Sequence, residues 1–243
     1  MTVLNADQYS QEELLQRLNS ADEREIEVIN LCGQRYIGCG WQQKKSLILK
    51  GTAGNNLGAF AAGPEIMLYG NCQEGVANTM SEGRIIVHGR AGDIAGYAMR
   101  GGELFIRDDA GYRLGIHMKA YQDKKPLIVV GGSTGAFTGE YMAGGTIVIL
   151  GLNRDQELVG KYCGTGLYAG SIYLRGDYPL KNLAPSVEAQ VMEPDRLGEL
   201  EQALEDFALY FGYSLNFIRQ EPFTRLTRKS DRPFASLYTG FVS

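Results

Sequence analysis

Eight strand-like runs recur along this chain at intervals close to 19 residues, and that repeat restricts the fold more than any other property. The runs are IEVIN (26–30), LILKG (47–51), IMLYG (66–70), IIVHG (85–89), LFIRD (104–108), LIVVG (127–131), IVILG (147–151) and IYLRG (172–176). Their last residues lie 21, 19, 19, 19, 23, 20 and 25 positions apart. A βαβ unit needs about 30 residues, so 19 leave no room for a crossover helix. They suffice for one coil of a parallel β-helix. Positions one and three of every run are aliphatic: Ile26/Val28, Leu47/Leu49, Ile66/Leu68, Ile85/Val87, Leu104/Ile106, Leu127/Val129, Ile147/Ile149 and Ile172/Leu174. Side chains alternate across a strand, so these residues are predicted to line one interior wall.

Glycine fills 32 of the 243 positions, nearly twice the usual share. Placed in register, glycines fall between the runs, where a short coil must turn sharply with φ > 0. Ala61, Met80, Met99, Met118 and Met142 form one column and Gly58, Ala77, Gly96 and Gly115 another. The methionines read as gap-filling core rather than a soft-metal path. The predicted fold is all-β: a right-handed, single-stranded parallel β-helix of about eight coils, roughly 34 Å long at the strand spacing of a sheet.

A β-helix has two open ends, and helices are predicted at both. Ser10 and Glu13 make a capping-box signature before Leu14, Leu15 and Leu18. Pro194 and Asp195 precede the stripe Leu197, Leu200, Leu204, Phe207 and Phe211, with Gly212 as a stop. The chain thus divides into a helical cap (1–25), the β-helix (26–176) and a C-terminal helix with an extended tail (177–243). Position two of each run faces outward yet reads Glu27, Ile48, Met67, Ile86, Phe105, Ile128, Val148 and Tyr173. An apolar stripe of that length calls for a cover, either the C-terminal helix or a partner.

Several function classes are disfavoured. With 24 basic and 28 acidic side chains, the net charge of −4 does not suit nucleic acid or anionic membranes. No apolar run approaches the ~20 residues of a membrane helix, and the N-terminus is acidic and polar, so a cytoplasmic protein is expected. Cys32, Cys39, Cys72 and Cys163 include no C-x-x-C pair and are expected to be buried or half-buried thiols. His88 and His117, the only histidines, do not complete a zinc set. The G-x-G-x-x-A of residues 164–169 leads into a strand rather than a helix, so it does not fit a dinucleotide loop. His88 and Arg107 share an outward column with Lys50, Tyr69 and Arg175, which reads as a solvated or interface face. Asp108 and Asp109 read as turn formers rather than a catalytic pair. No catalytic, cofactor-binding or metal-binding residue is assigned.

The glycine pattern is also specific. G-x-x-G-x-x-x-G occurs at Gly51/Gly54/Gly58, Gly89/Gly92/Gly96 and Gly132/Gly135/Gly139, and in weakened form at Asp108/Gly111/Gly115 and Gly70/Gln73/Ala77. With AGDIAGYAMRGG (91–102) and GEYMAGGTIVILG (139–151), this resembles the GXGXG domain at the C-terminus of the glutamate synthase large subunit. The C subunit of formylmethanofuran dehydrogenase carries related repeats. The resemblance covers roughly residues 26–176 and implies a structural role. In that family a glutamine amidotransferase with an N-terminal cysteine nucleophile and an FMN and iron–sulfur synthase barrel hold the chemistry. Here Met1 is followed by Thr2, so the resemblance implies a stand-alone scaffold subunit without a cofactor of its own. FMN and iron–sulfur clusters are expected on its partners, the amidotransferase and the FMN-dependent synthase; a homo-oligomer is also compatible. The alternatives are a subunit of a formylmethanofuran dehydrogenase-type or methylamine–glutamate transferase complex and, from another class, an independent carbohydrate-active β-helix enzyme. GQRYIGCG (33–40), YRLGIHMKAY (112–121) and RPFASLY (232–238) fit the stand-alone form.

The tail from Ser214 onward interleaves Arg219, Arg225, Arg228, Lys229 and Arg232 with Phe217, Phe223, Phe234, Tyr238 and Phe241. It reads either as a strap on its own rod or as a docking arm.

Overall fold

The computed structural model describes residues 2–153 and 157–229. Nine strands run parallel in one continuous ladder: β1 (Thr2–Asn5), β2 (Glu25–Gln34), β3 (Ser46–Ala53), β4 (Ala62–Tyr69), β5 (Glu82–Val87), β6 (Glu103–Ile106), β7 (Leu127–Val130), β8 (Ala143–Ile149) and β9 (Ala169–Arg175). Each strand begins a new coil and stacks on the one before it, giving a parallel β-solenoid of about seven turns. A second seam runs beside the sheet as single parallel bridges joining Ala53, Cys72, Ala91, Ala110, Thr134 and Val159 in turn. All six are buried. Small residues there let the coil close tightly.

The interior wall forms as expected in seven of the eight runs, from Ile26/Val28 to Ile172/Leu174, and its members are fully buried in one core. The exception is β7. Leu104 pairs with Ile128 and Ile128 with Ile147, so Ile128 and Val130 point inward and Val129 outward. This reverses the expected Leu127/Val129 assignment. The steps become 24 residues (104 to 128) and 19 (128 to 147), restoring the short coil. A run apolar at every position carries no phase, because both its faces are covered. The extra residues of the longer coil bulge at the exposed segment 121–125, where Tyr121 bridges Lys124.

Met80, Met99, Met118 and Met142 are fully buried in the core, as the column predicted. The neighbouring small-residue column explains much of the glycine. The N–H of each member donates to the coil below, as from Gly96 to the Val76 carbonyl and from Gly115 to that of Ala95. Gly96 has φ +69°, and a Cβ there would lie 2.4 Å from Ile128 Cδ1. Ala77 occupies the same place one coil earlier, and there the facing wall position is Leu104 rather than isoleucine.

Both ends are covered. Helix α1 (Gln11–Ser20) starts with the anticipated capping box, Ser10 accepting from the Glu13 N–H while Glu13 accepts from the Ser10 N–H. It buries Leu14 and Leu18, and Asn19 accepts a 2.7 Å bond from the indole N–H of buried Trp41. At the other end β10 (Val187–Met192) and β11 (Phe223–Arg228) form an antiparallel pair, with β11 antiparallel to β9. So the first part of the tail is a strap on its own rod; Arg232, Phe234, Tyr238 and Phe241 lie outside the described residues.

Between them, α2 (Glu201–Phe211) and the short α3 (Leu215–Ile218) pack on the outer face of the sheet. Two single 3-10 turns (Pro194–Arg196 and Gly198–Leu200) precede α2, so the helix starts later than its apolar stripe. Gly212 ends it at φ +71°, as predicted. Leu197, Leu200, Leu204 and Phe207 are buried against Ile86, Phe105, Val129, Val148 and Tyr173. The apolar outer stripe is therefore covered, over these strands, by the chain itself.

Candidate functional site

The outward column expected from the sequence assembles: Lys50 is in register with Tyr69, and the His88 and Arg107 N–H groups continue the ladder. Gly131 and Leu150 follow before Arg175. Its members pair with neighbouring carboxylates, stack, or hold the covering helices rather than forming a cleft. Lys50 pairs with Glu27 at 2.6 Å, and Arg107 makes two 3.0 Å bonds to Asp108. Arg175 is buried and donates to the carbonyls of Ile218 and Phe217, tying α3 to the rod. From His88 onward the column meets the covering helices, while Lys50 and Tyr69 stay exposed.

His88 is the one group in it with an unmet demand. Its ring stacks on Tyr69 at 4.5 Å and meets the edge of Phe211 at 5.0 Å, and its buried Nε2 has no partner. Burial, with help from the Arg107 charge, lowers its pKa below the ordinary histidine value. The unfolded chain therefore takes up this proton at a higher pH than the folded one, and stability rises with pH across that window. The contribution is present above about pH 6.5 and is lost as pH falls towards the depressed folded value. His88→Phe keeps the ring packing without the proton. Urea unfolding from about pH 7 to pH 5 is expected to show a shallower loss of stability in this variant than in the wild type. Parallel curves would refute the assignment.

Asp108 and Asp109 behave as turn formers. Asp109 accepts from the Ser133 N–H and hydroxyl at 2.9 and 3.0 Å. Asn71 and Asp93 do the same for Arg90 and Tyr112. Burial pushes the thiols of Cys72 and Cys163 up to about 12, far from the thiolate a nucleophile needs. Cys39 is half-buried, but Cys32 is exposed, contrary to expectation. Among the described residues no three His, Cys, Asp or Glu side chains gather where a metal ion could sit. Gly164 and Gly166 turn directly into β9, so they do not open a helix. Nor is there, among the described residues, a helix long and apolar enough to cross a membrane.

A face that sequence reasoning missed lies on the corners away from the sheet. Two backbone columns there hold the left-handed conformation coil after coil. The first contains Ile94, Arg113, Phe137 and Tyr162 at φ between 51° and 65°; the second contains Ala98, His117 and Tyr141 between 49° and 56°. Such a φ costs a non-glycine residue roughly 1–2 kcal/mol. The side chains form two ladders. Arg113 lies over Phe137 at 5.2 Å and Phe137 stacks on Tyr162 at 5.1 Å. Tyr97 meets the edge of His117 at 6.0 Å and His117 stacks on Tyr141 at 5.4 Å. Arg113 also pairs at 3.2 Å with Glu140, the residue before Tyr141. His117 is exposed. The signal was legible only as aromatic and cationic residues recurring 24 or 25 positions apart (113, 137, 162; 117, 141).

A family model described as the GXGXG motif matches residues 23–221, which includes every coil from β2 onward together with α2 and α3. The chain belongs to the GXGXG motif family. The match extends past the expected 26–176, so in this GXGXG protein the covering helices are part of the shared unit. An uncharacterised protein of Methanocaldococcus jannaschii is 36% identical over 226 residues, covering 90% of this chain and 87% of its own length. The chloroplast ferredoxin-dependent glutamate synthase of Spinacia oleracea is 27% identical over 183 residues, 70% of this chain but 10% of its own. The GXGXG chain thus spans about a tenth of that glutamate synthase. Among solved structures, a chain of the formyltransferase/hydrolase complex FhcABCD from Methylorubrum extorquens, in complex with methylofuran, aligns with a TM-score of 0.64. That alignment covers 85% of this chain and 74% of the other at 22% identity, a likeness of fold.

Proposed function

We propose that this chain is a non-catalytic structural subunit of a glutamate synthase-like complex, organising a glutamine amidotransferase subunit and an FMN and iron–sulfur synthase subunit. The observation that carries this reading is the family match over 23–221, shared with a segment that forms only a tenth of the ferredoxin-dependent glutamate synthase. In this reading the same unit supplies the rod to catalytic chains. The polar side chains of His88, Arg107, Asp109 and Arg175 support the reading, being spent on stacking, turn formation and helix docking. Flavin and iron–sulfur clusters belong to the partners, and the assembly works in the cytoplasm. The fold likeness to a chain of a formyltransferase/hydrolase complex favours one second reading, a subunit of a formylmethanofuran dehydrogenase-type assembly.

The test is reconstitution. The chain is purified alone and with the amidotransferase and FMN-dependent synthase chains of the same genome. Alone it is expected to be colourless and to leave glutamine and 2-oxoglutarate unchanged. Together the three are expected to co-elute and to form glutamate when given reductant. Turnover by the single chain, or failure of the three to associate, would overturn the proposal.

A further inference from the structure

The sheet's outer face is closed by α2, but the corner ladders lie open to solvent: Tyr97, Tyr141 and Tyr162 are 36%, 46% and 54% exposed. We propose that the ladders Arg113–Phe137–Tyr162 and Tyr97–His117–Tyr141 are the docking surface for an acidic patch on a partner protein subunit. This inference rests on the scaffold reading above and gives it a location.

Three observations converge. The first is conformational. Both left-handed columns accept glycine, as Gly75 and Gly166 show at φ +73° and +66° in the coils before and after. In the ladders, large side chains (Arg113, Phe137 and Tyr162 in one column, His117 and Tyr141 in the other) stand at places where glycine would be less strained, and strain of this kind gathers where side chains have a task beyond the fold. The second is the way the rings are presented. Each ladder holds one stacked pair, Phe137–Tyr162 and His117–Tyr141, in which each ring covers a face of the other at 5.1 and 5.4 Å. A nucleotide base or a sugar needs an open ring face, whereas these ladders offer ring edges, phenol hydroxyls and cations. Tyrosine and arginine in that presentation are the residues that dominate protein–protein hot spots.

The third is charge. Arg113 in the first ladder is exposed, and so are Arg100, Lys119 and Lys161, each within three residues of a ladder member in sequence, on a chain whose net charge is −4. The carboxylates set among them are engaged, Glu140 by Arg113 and Asp93 by the Tyr112 N–H. The complement of this surface is a partner's carboxylates and backbone carbonyls.

The experiment uses the full chain and the amidotransferase and synthase chains of the reconstitution, with affinity measured by calorimetry at low salt and at about 0.5 M. Tyr141→Gly is expected to weaken binding at least about tenfold. Its melting temperature is expected to stay within a few degrees of the wild type or to rise, because glycine suits the left-handed backbone. Arg113→Glu is expected to weaken binding and to flatten its salt dependence. Leu209→Ser, on the solvent side of α2, is expected to bind as wild type. If the wild type forms the complex and both ladder variants bind equally well, the docking surface is wrong and the scaffold reading stands. If Tyr141→Gly binds normally but melts lower, the ladders serve only the fold and the proposal falls. If the wild type binds neither chain, both readings fall together.

Discussion

Replacing Phe207 by alanine is expected to cost about 3–5 kcal/mol, the range for removing a fully buried phenylalanine from a core. Phe207 is the centre of α2's contact with the rod. It is fully buried, meets Phe211 edge-on at 4.7 Å and stacks with Tyr213 at 5.8 Å. Its Cζ presses on the sheet so closely that a Cβ on Gly131 would sit 2.7 Å away. The Arg107 carbonyl oxygen, 2.1 Å from the same Cβ position, and the Phe207 ring together account for glycine at the place in the outward column where the coils below carry Tyr69, His88 and Arg107. Around it, Arg84 holds the helix through Asp206 at 3.4 Å and through the Tyr210 hydroxyl, and Tyr173 bonds Glu199. Loosening the helix uncovers Ile86, Phe105, Val129 and Val148, so the variant is expected to bind a hydrophobic dye as well as to unfold at lower urea. Leu209→Ala on the same helix, at a position 78% exposed, should change stability by no more than about 0.5 kcal/mol. A Phe207→Ala cost below about 1 kcal/mol would mean that α2 is not the cover described.

Gly96→Ala is the second large effect, expected to cost about 2–4 kcal/mol. Two penalties add: a methyl group in the left-handed region, and overpacking against a wall that cannot retreat. The new Cβ would lie 2.4 Å from Ile128 Cδ1, with other coils stacked on both sides. The protein itself contains the compensated version. One coil earlier Ala77 sits at φ +59° and the wall residue in register is Leu104. Leucine carries its branch one carbon further out than isoleucine and so can withdraw the methyl that clashes. The double variant Gly96→Ala/Ile128→Leu is therefore expected to recover part of the loss, leaving chiefly the backbone cost. Denaturant titration of the two singles and the double gives the coupling directly. Additive losses would show that the match of small residue to wall residue is not what fixes this column.

The repeat made the rod legible because its two strongest signals are local. Aliphatic residues two apart mark the wall, and glycine between runs marks the corners. The capping box at Ser10 and the stop at Gly212 were legible for the same reason. The phase of β7 was not, since Leu127–Val130 is apolar throughout and only its neighbours choose the face. Strand β1 escaped notice because four residues with no corner glycine carry almost no pattern. The closing pair β10/β11 had a partial signal in the alternation of Val187, Ala189 and Val191, but the partner strand is remote in sequence. The corner ladders were hidden more deeply. A left-handed backbone at Arg113, His117, Phe137 and Tyr141 contradicts their own preferences, and only the stacked coils impose it.

The bulge at residues 121–125 has a consequence for assembly. Surplus residues leave the rod sideways there, and the next strand still lands on the strand before it. Position along the solenoid is therefore counted in coils, at about 4.8 Å each, rather than in residues. An epitope inserted in the bulge would leave every partner where it was. An added coil would move everything beyond it by one fixed step, as a link moves the far end of a chain.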